Sequence, residues 1–387
     1  MTDARASWWR VKLGDVLRHD ARPVAVEPER MYREIGIRSH GKGLFHKAPI
    51  SGLELGDKRV FYVEPGDFVL NIVFAWEGAV GVVTEAERAM IASHRFPTFR
   101  AVADTLDLRF LEHFFHTPVG LELLGRVSPG GAGRNRTLNR TDFLRQELLL
   151  PPLPEQQRIV GKIDAARESI NNARGAFQQQ AQHAAQLLAA TFHEVASAAP
   201  RVTLSQLAPL VRRPVEVRPG AQYLELGIRS FGKGTFHKPQ TSGAALGDKR
   251  VYAVHPGDLL FSNVFAWEGA IAVAKPTDIG RIGSHRFMSC VSDQSIAAPA
   301  FLCYYFLSRE GLSAVQAASP GGAGRNRTLG IAALGQLKVP MPTIAKQKRF
   351  SALVEEVEAL NDVIARRGAE LDALLPAILD RAFAGAL

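Results

Sequence analysis

The residues with chemistry to offer fall into two sets, and each set occurs twice. The stretch Ser128-Pro-Gly-Gly-Ala-Gly-Arg-Asn-Arg-Thr-Leu138 recurs without a change as Ser319 through Leu329. Gly130, Gly131 and Gly133 would let backbone approach a phosphate closely, Arg134 and Arg136 bring positive charge, and Asn135 can pair with a base edge. The twin loop offers Gly321, Gly322, Gly324, Arg325, Asn326 and Arg327. The competing reading is a flexible loop whose arginines are merely solvated. The second set is Arg38, Ser39, Lys42, His46 and Lys47, matched by Arg229, Ser230, Lys233, His237 and Lys238. Its Gly41-Lys-Gly43 core lacks the full P-loop spacing and the Ser or Thr that should follow, so a turn-borne DNA contact fits better than a nucleotide cradle. Arg95 and Arg286, each after Ser-His, suit a phosphate or a guanine, while His94 and His285 read equally well as structural residues. Trp76-Glu77 and Trp267-Glu268 stay open between a core tryptophan and one stacked on DNA, with glutamate accepting from a cytosine amine.

Catalysis finds little support. The Asn-Pro-Pro-aromatic pattern that a DNA methyltransferase places around its target base does not occur in the chain. Asp57, Glu77 and His94 could be drawn together as metal ligands for a nuclease, but their spacing matches no such motif. The 387 residues suffice for two ordinary domains, and 46% hydrophobic with 22% charged residues is the balance of a soluble globular chain. Lys and Arg exceed Asp and Glu by nine, which favours an anionic partner, nucleic acid before a membrane surface. Cys290 and Cys303, the two cysteines, form neither a metal spacing nor a disulfide framework, which suits a reducing cytoplasm. Residues 1–12 lack a signal peptide's apolar core, and no run approaches the roughly 18 apolar residues of a membrane helix. These features predict a soluble cytoplasmic protein with no membrane partner.

An offset of 191 positions lays the chain on itself: Gly36–Lys47 falls on Gly227–Lys238, and Phe74–Ala79 is identical to Phe265–Ala270. So long a period means a duplicated domain, not a solenoid. Duplication of a bare scaffold would preserve core residues; it would not require identical Arg, Lys, Asn and Gly-rich stretches. Each copy opens with short β-type runs (Val60–Val63, Phe68–Phe74, Ala79–Val83) punctuated by turns such as Glu64-Pro-Gly-Asp67. A helical stretch follows, about 108–125 and 299–317, then the Gly-rich loop and a proline stop. Beyond the stop, Ile159, Ile163, Ala166, Ile170, Ala173 and Phe177 step by four and three, a heptad-like seam that predicts a helix to about residue 196. Phe350, Val354, Val357, Ile364, Leu371, Leu375 and Ile378 form the second seam, interrupted at Asn361 and Gly368. Two such stripes bury each other if the helices pair antiparallel; the rival is that each packs back on its own domain. The expected fold is α+β: β-rich domains at 1–150 and 200–340, related by a pseudo-two-fold axis, with helices at 151–199 and 341–387. Rods of about 40 residues reach roughly 60 Å, which caps domain separation near 17 base pairs.

Pro151-Pro-Leu-Pro-Glu-Gln-Gln-Arg-Ile159, opening a long helix after a β-rich domain, resembles the signature that closes a target-recognition domain in type I restriction-modification specificity subunits. The second copy, Pro342-Thr-Ile-Ala-Lys-Gln-Lys-Arg-Phe350, keeps Pro342, Gln347 and Arg349 but has Lys346 where the first has Glu155. Val11–Val16 and the Gly66-Asp67 and Gly257-Asp258 pairs match as well, and the resemblance runs over essentially the whole chain. It implies a non-catalytic DNA reader that carries no cofactor, binds double-stranded DNA, two methyltransferase subunits and a restriction subunit, and leaves S-adenosylmethionine, ATP and Mg to those partners. One departure has a consequence: the family's two recognition domains usually differ, whereas these are close copies. Near-identical readers in inverted orientation predict a bipartite target with the same or nearly the same half-sites, separated by several unread base pairs. A stand-alone DNA-binding defence or regulatory protein, and a helical scaffold whose β domains bind protein, are the competing functions.

Overall fold

Short antiparallel strands and two long amphipathic helices organise each half of the chain. The computed structural model describes residues 7–130, 136–321 and 327–387. It divides into two units, Met1–Phe177 with Arg366–Leu387, and Gln178–Ala365. In the first unit a four-stranded sheet runs Leu17–His19, Thr98–Ala101, Phe68–Leu70, Val80–Val82 in spatial order. The second repeats it with Leu210–Val211, Phe287–Cys290, Leu259–Ser262 and Ile271–Val273. The opening strand Trp9–Lys12 pairs antiparallel with Glu147–Leu150, as Arg201–Thr203 does with Lys338–Pro340, so each domain is closed by its own two ends. The Gly66-Asp67 turn has a structural basis. Gly66 takes φ +84°, which suits glycine, and fully buried Asp67 accepts from Glu64 N and from Arg22 and Arg100. Asp258 repeats the arrangement with His255 N and the Arg213 fork.

The expected apolar run Phe68–Phe74 stays in the sheet only to Leu70. Asn71 then caps its own turn, its side chain accepting from Val73 N and its carbonyl from Phe74 N, and the chain enters a 3₁₀ turn at Ala75–Glu77. The single helix expected over 108–125 is two, Leu108–Phe114 and Pro118–Arg126, because Thr117 caps a new helix with Pro118 at its first position. The second unit breaks at the same place, Pro299–Leu307 then Arg309–Ala317, with Ser308 as the cap.

The central helix spans Leu153–Ala196 and the C-terminal helix Ile344–Phe383. In the first unit Ile159 and Ile163 of the former share a core with Leu379 and Ala382 of the latter, so the start of one helix lies with the end of the other. In the second unit Leu188 and Phe192 share a core with Phe350 and Val357. Each helix therefore begins on its own domain and ends in the other unit. Twin phenylalanines anchor the ends: Phe383 stacks on Phe110 at 4.9 Å, and Phe192 on Phe301 at 5.3 Å. No helix among the described residues is long and apolar enough to cross a membrane.

The units part company along one helix and just beyond its end. Glu112, His113 and His116 of the first stand where the second has Cys303, Tyr304 and Leu307. Burial, reinforced by Arg167, pushes His113 down to about 3 and His116 down to about 4. Burial pushes Glu112 up to about 7, against the pull of Arg167 and Arg109. The signs oppose. Histidines kept neutral stabilise the fold fully above their unfolded value and lose that as pH falls, whereas Glu112 lowers stability as pH rises towards 7. Between pH 7 and 5 the histidines should remove about 4 kcal/mol and the glutamate restore about 2. Denaturant titration should show the intact chain less stable at pH 5 by on the order of 2 kcal/mol. A His113→Tyr, His116→Leu variant should become more stable on the same step; an unchanged pH response would reject the assignment.

Candidate nucleic-acid interface

Motifs far apart in sequence meet on one face of each unit. In the first, the strands Ile35–Ile37 and Leu44–His46 pair and present the turn 38–43 between them. Arg38 N donates to Gly43 O at 3.0 Å, and the turn is fixed to the 3₁₀ segment by two further bonds. Ser39 Oγ donates to Glu77 Oε2 at 2.7 Å, and His40 N donates to Glu77 O at 2.8 Å. The second unit repeats both contacts, Ser230 to Glu268 at 3.1 Å and Phe231 N to Glu268 O at 2.8 Å. His40 and Phe231 sit at φ +61° and +63°, a conformation uncommon outside glycine that these paired bonds hold in place. Phe231 leaves 74% of its surface exposed. An apolar ring held out in a strained turn marks a contact surface.

Trp76 and Trp267 are half-buried, which satisfies parts of both sequence readings. Each indole N–H donates to a local carbonyl, Val73 O or Val264 O, and each ring carries a cation: Arg136 at 5.0 Å from the Trp76 centroid, Arg327 at 5.3 Å from Trp267. The neck of the Gly-rich loop is thus anchored to the 3₁₀ segment. Leu138 N donates to Ile72 O and Ile72 N to Arg95 O, which brings the Arg95 turn alongside; Leu329, Asn263 and Arg286 repeat the chain of bonds. Arg38, Lys42, Arg95 and their twins Arg229, Lys233 and Arg286 are exposed. Arg38 and Arg229 lie over the rings of Phe45 and Phe236, 4.7 Å and 5.3 Å from their centroids. Gly131, Arg134, Asn135, Gly322, Arg325 and Asn326 lie outside the described residues.

His46, Lys47, His237 and Lys238 are placed differently. His46 Nε2 is 2.6 Å from Glu87, and Lys47 donates to Glu34 at 3.3 Å; their twins meet Asp278 at 2.8 Å and Glu225 at 3.6 Å. Burial would raise Glu87 and Asp278, but the hydrogen bonds they accept outweigh it and hold both carboxyls low. These four side chains already have anionic partners inside their own unit. Arg59 and Arg140, by contrast, were not singled out by the sequence patterns. With His19 and His94 they line a cavity of about 280 Å³ beside the loop neck. Arg59 is repeated as Arg250, which was a usable signal; Arg140 falls on Ile331 and gave none.

The arrangement defines a two-unit chain whose sheets and turns present doubled basic surfaces and whose helices end in each other's units. Two solved structures share this fold. The HsdS subunit from Thermoanaerobacter tengcongensis is 22% identical, with a TM-score of 0.60 over 99% of this chain and 98% of that one. A chain from a study of complex assembly and conformational transition of the type I restriction-modification system is 21% identical, with a TM-score of 0.68 over 99% of both. No model of a known family matches the chain, and no curated protein matches it. The fold is that of type I specificity subunits, as the motif at Pro151–Ile159 led us to expect.

Proposed function

We propose that the protein is the DNA-specificity subunit of a type I restriction-modification complex. It reads a bipartite site and directs partner methyltransferase and restriction subunits to it. The observation that carries this reading is the convergence, in both units, of exposed Arg38, Lys42 and Arg95, or Arg229, Lys233 and Arg286, around a stacked Arg–Trp pair. Exposed cations suit phosphates, and an aromatic platform with forked donors suits bases. Residues 1–150 and 200–340 act as target-recognition domains, and 151–199 and 341–387 as the helices that carry them. The chain does no chemistry itself: two methyltransferase subunits on the helices would supply S-adenosylmethionine, and the restriction subunit ATP and Mg. Because Phe74–Ala79 and Ser128–Leu138 recur unchanged, the half-sites are expected to be the same or nearly so, inverted, with His40 against Phe231 and Leu44 against Thr235 as the source of any difference.

Long-read methylation mapping in cells with and without this gene, its methyltransferase expressed in both, tests the reading. A bipartite methylated motif should vanish on deletion. An unchanged methylome would reject it in favour of a stand-alone binder or a scaffold, and unrelated half-sites would reject the inverted-repeat prediction alone.

A further inference from the structure

We propose that a pocket of the first unit binds a small organic anion. The cavity, about 240 Å³, has a basic wall made by His40, His116 and Arg167 and an apolar wall made by Leu121, Leu375 and Leu379. Those three basic residues come from a turn, a helix end and the central helix, yet the offset of 191 replaces all of them at once, with Phe231, Leu307 and Glu358. The turn around His40 is otherwise shared by the two copies: Arg38, Ser39, Gly41, Lys42 and Gly43 all recur. The second unit keeps the fold with two apolar residues and an acid at these places, and in the first unit Arg167 also meets its own neighbour, its Nη2 lying 3.4 Å from His113 Nδ1.

The hydrogen bonds differ in the same place. In the second unit Gly232 N donates to Gly269 O at 2.9 Å. In the first, the twin amide of Gly41 has no backbone acceptor among the described residues. The His116 ring instead takes the carbonyl of Gly78, and its Nε2 is buried with no partner among the described residues. A Cβ on Gly41 would stand 3.4 Å from that ring, so turn and imidazole are in near contact at the pocket wall. Pro376 on the opposite side has no amide hydrogen and its ring crowds the preceding helical turn; the central helix has Ala185 at the matching position.

An oxyanion placed between Arg167 and His116 would draw a proton onto His116 Nε2, which could then donate to it while the other ring nitrogen keeps the Gly78 carbonyl. The guanidinium supplies a forked partner for a phosphate or carboxylate. The cavity is larger than a bare phosphate needs, and its leucine wall suits an aromatic or aliphatic body on the anion.

Histidine-selective NMR on the full chain, titrated with inorganic phosphate and with phenyl phosphate, tests this. Both should raise the His116 midpoint by about one pH unit or more, phenyl phosphate at lower concentration. Arg167→Gln should abolish the shift while the spectrum stays folded, and His116→Leu, the residue type of the second unit, should abolish the thermal stabilisation that either anion gives. No shift at physiological phosphate, or a shift that survives Arg167→Gln, would overturn the proposal. Repeating the titration with duplex DNA saturating the chain separates two sources of phosphate. Persistence of the shift supports a free small anion; its loss would overturn that in favour of a phosphate of the DNA backbone.

Discussion

Gln156→Leu should cost the first unit about 3 to 5 kcal/mol, the sum of three buried hydrogen bonds left without partners. Gln156 is fully buried. Its Oε1 accepts from Asp107 N at 2.8 Å, and its Nε2 donates to Thr105 O at 2.9 Å and to Pro151 O at 2.8 Å. One side chain thus joins the loop before helix Leu108–Phe114, the proline stop and the first turn of the central helix. Leucine fills the volume but leaves one N–H and two carbonyls unpaired away from water. In a unit of this size the loss should lower the melting temperature by roughly 10 °C. Gln347 makes the same three bonds, with Ala298 N, Ile296 O and Pro342 O, so Gln347→Leu should do the same to the second unit. The neighbouring Glu155→Lys is the contrast. Glu155 is partly exposed and, among the described residues, forms an ion pair with Arg158 alone, one turn along, so its loss should stay under about 1 kcal/mol. Denaturant titration of the three variants decides the matter; equal losses at positions 155 and 156 would sink the assignment.

That contrast explains why the second copy of the signature tolerates Lys346 yet retains Gln347, a difference the sequence displayed without its cause. The helices were legible because a seam of threes and fours declares itself over 40 residues, with Pro154 marking the start. Strand lengths were not. The run Phe68–Phe74 is apolar throughout except at Asn71, and only the self-capping of that residue takes it out of the sheet. The break at Thr117 was signalled by Pro118 in the first unit but by nothing comparable at Ser308, where the capping hydroxyl alone makes the turn. For the site, repetition singled out the turn 38–43 and the Trp-Glu pairs, which hydrogen bonds bring together in each unit. It could not separate basic side chains outside the described ion pairs from carboxylate-paired ones, because the acids that hold His46 and Lys47 are themselves repeated, as Glu87 with Asp278 and Glu34 with Glu225. Internal charge pairs and ligand-binding residues leave the same trace in a duplicated sequence.

Charge removal separates the two. Replacing Arg38, Lys42 and Arg95 with alanine should weaken binding to the mapped target about a hundredfold at physiological salt. The slope of log affinity against log salt should fall by up to about 2.7, near 0.9 for each phosphate no longer neutralised. Arg229, Lys233 and Arg286 should behave alike, since their exposure and surroundings repeat. None of the six is tied to a carboxylate among the described ion pairs, so the melting temperature should stay close to that of the parent chain. The matching double variant His46→Ala, Lys47→Ala should do the reverse. It removes side chains already met by Glu87 and Glu34, leaves those acids buried with fewer partners, and so should lower stability more than it lowers the salt slope. A triple variant whose salt slope matches that of the parent would remove this face from the DNA interface. A double variant that flattens the slope without loss of stability would move DNA binding to the carboxylate-paired residues instead.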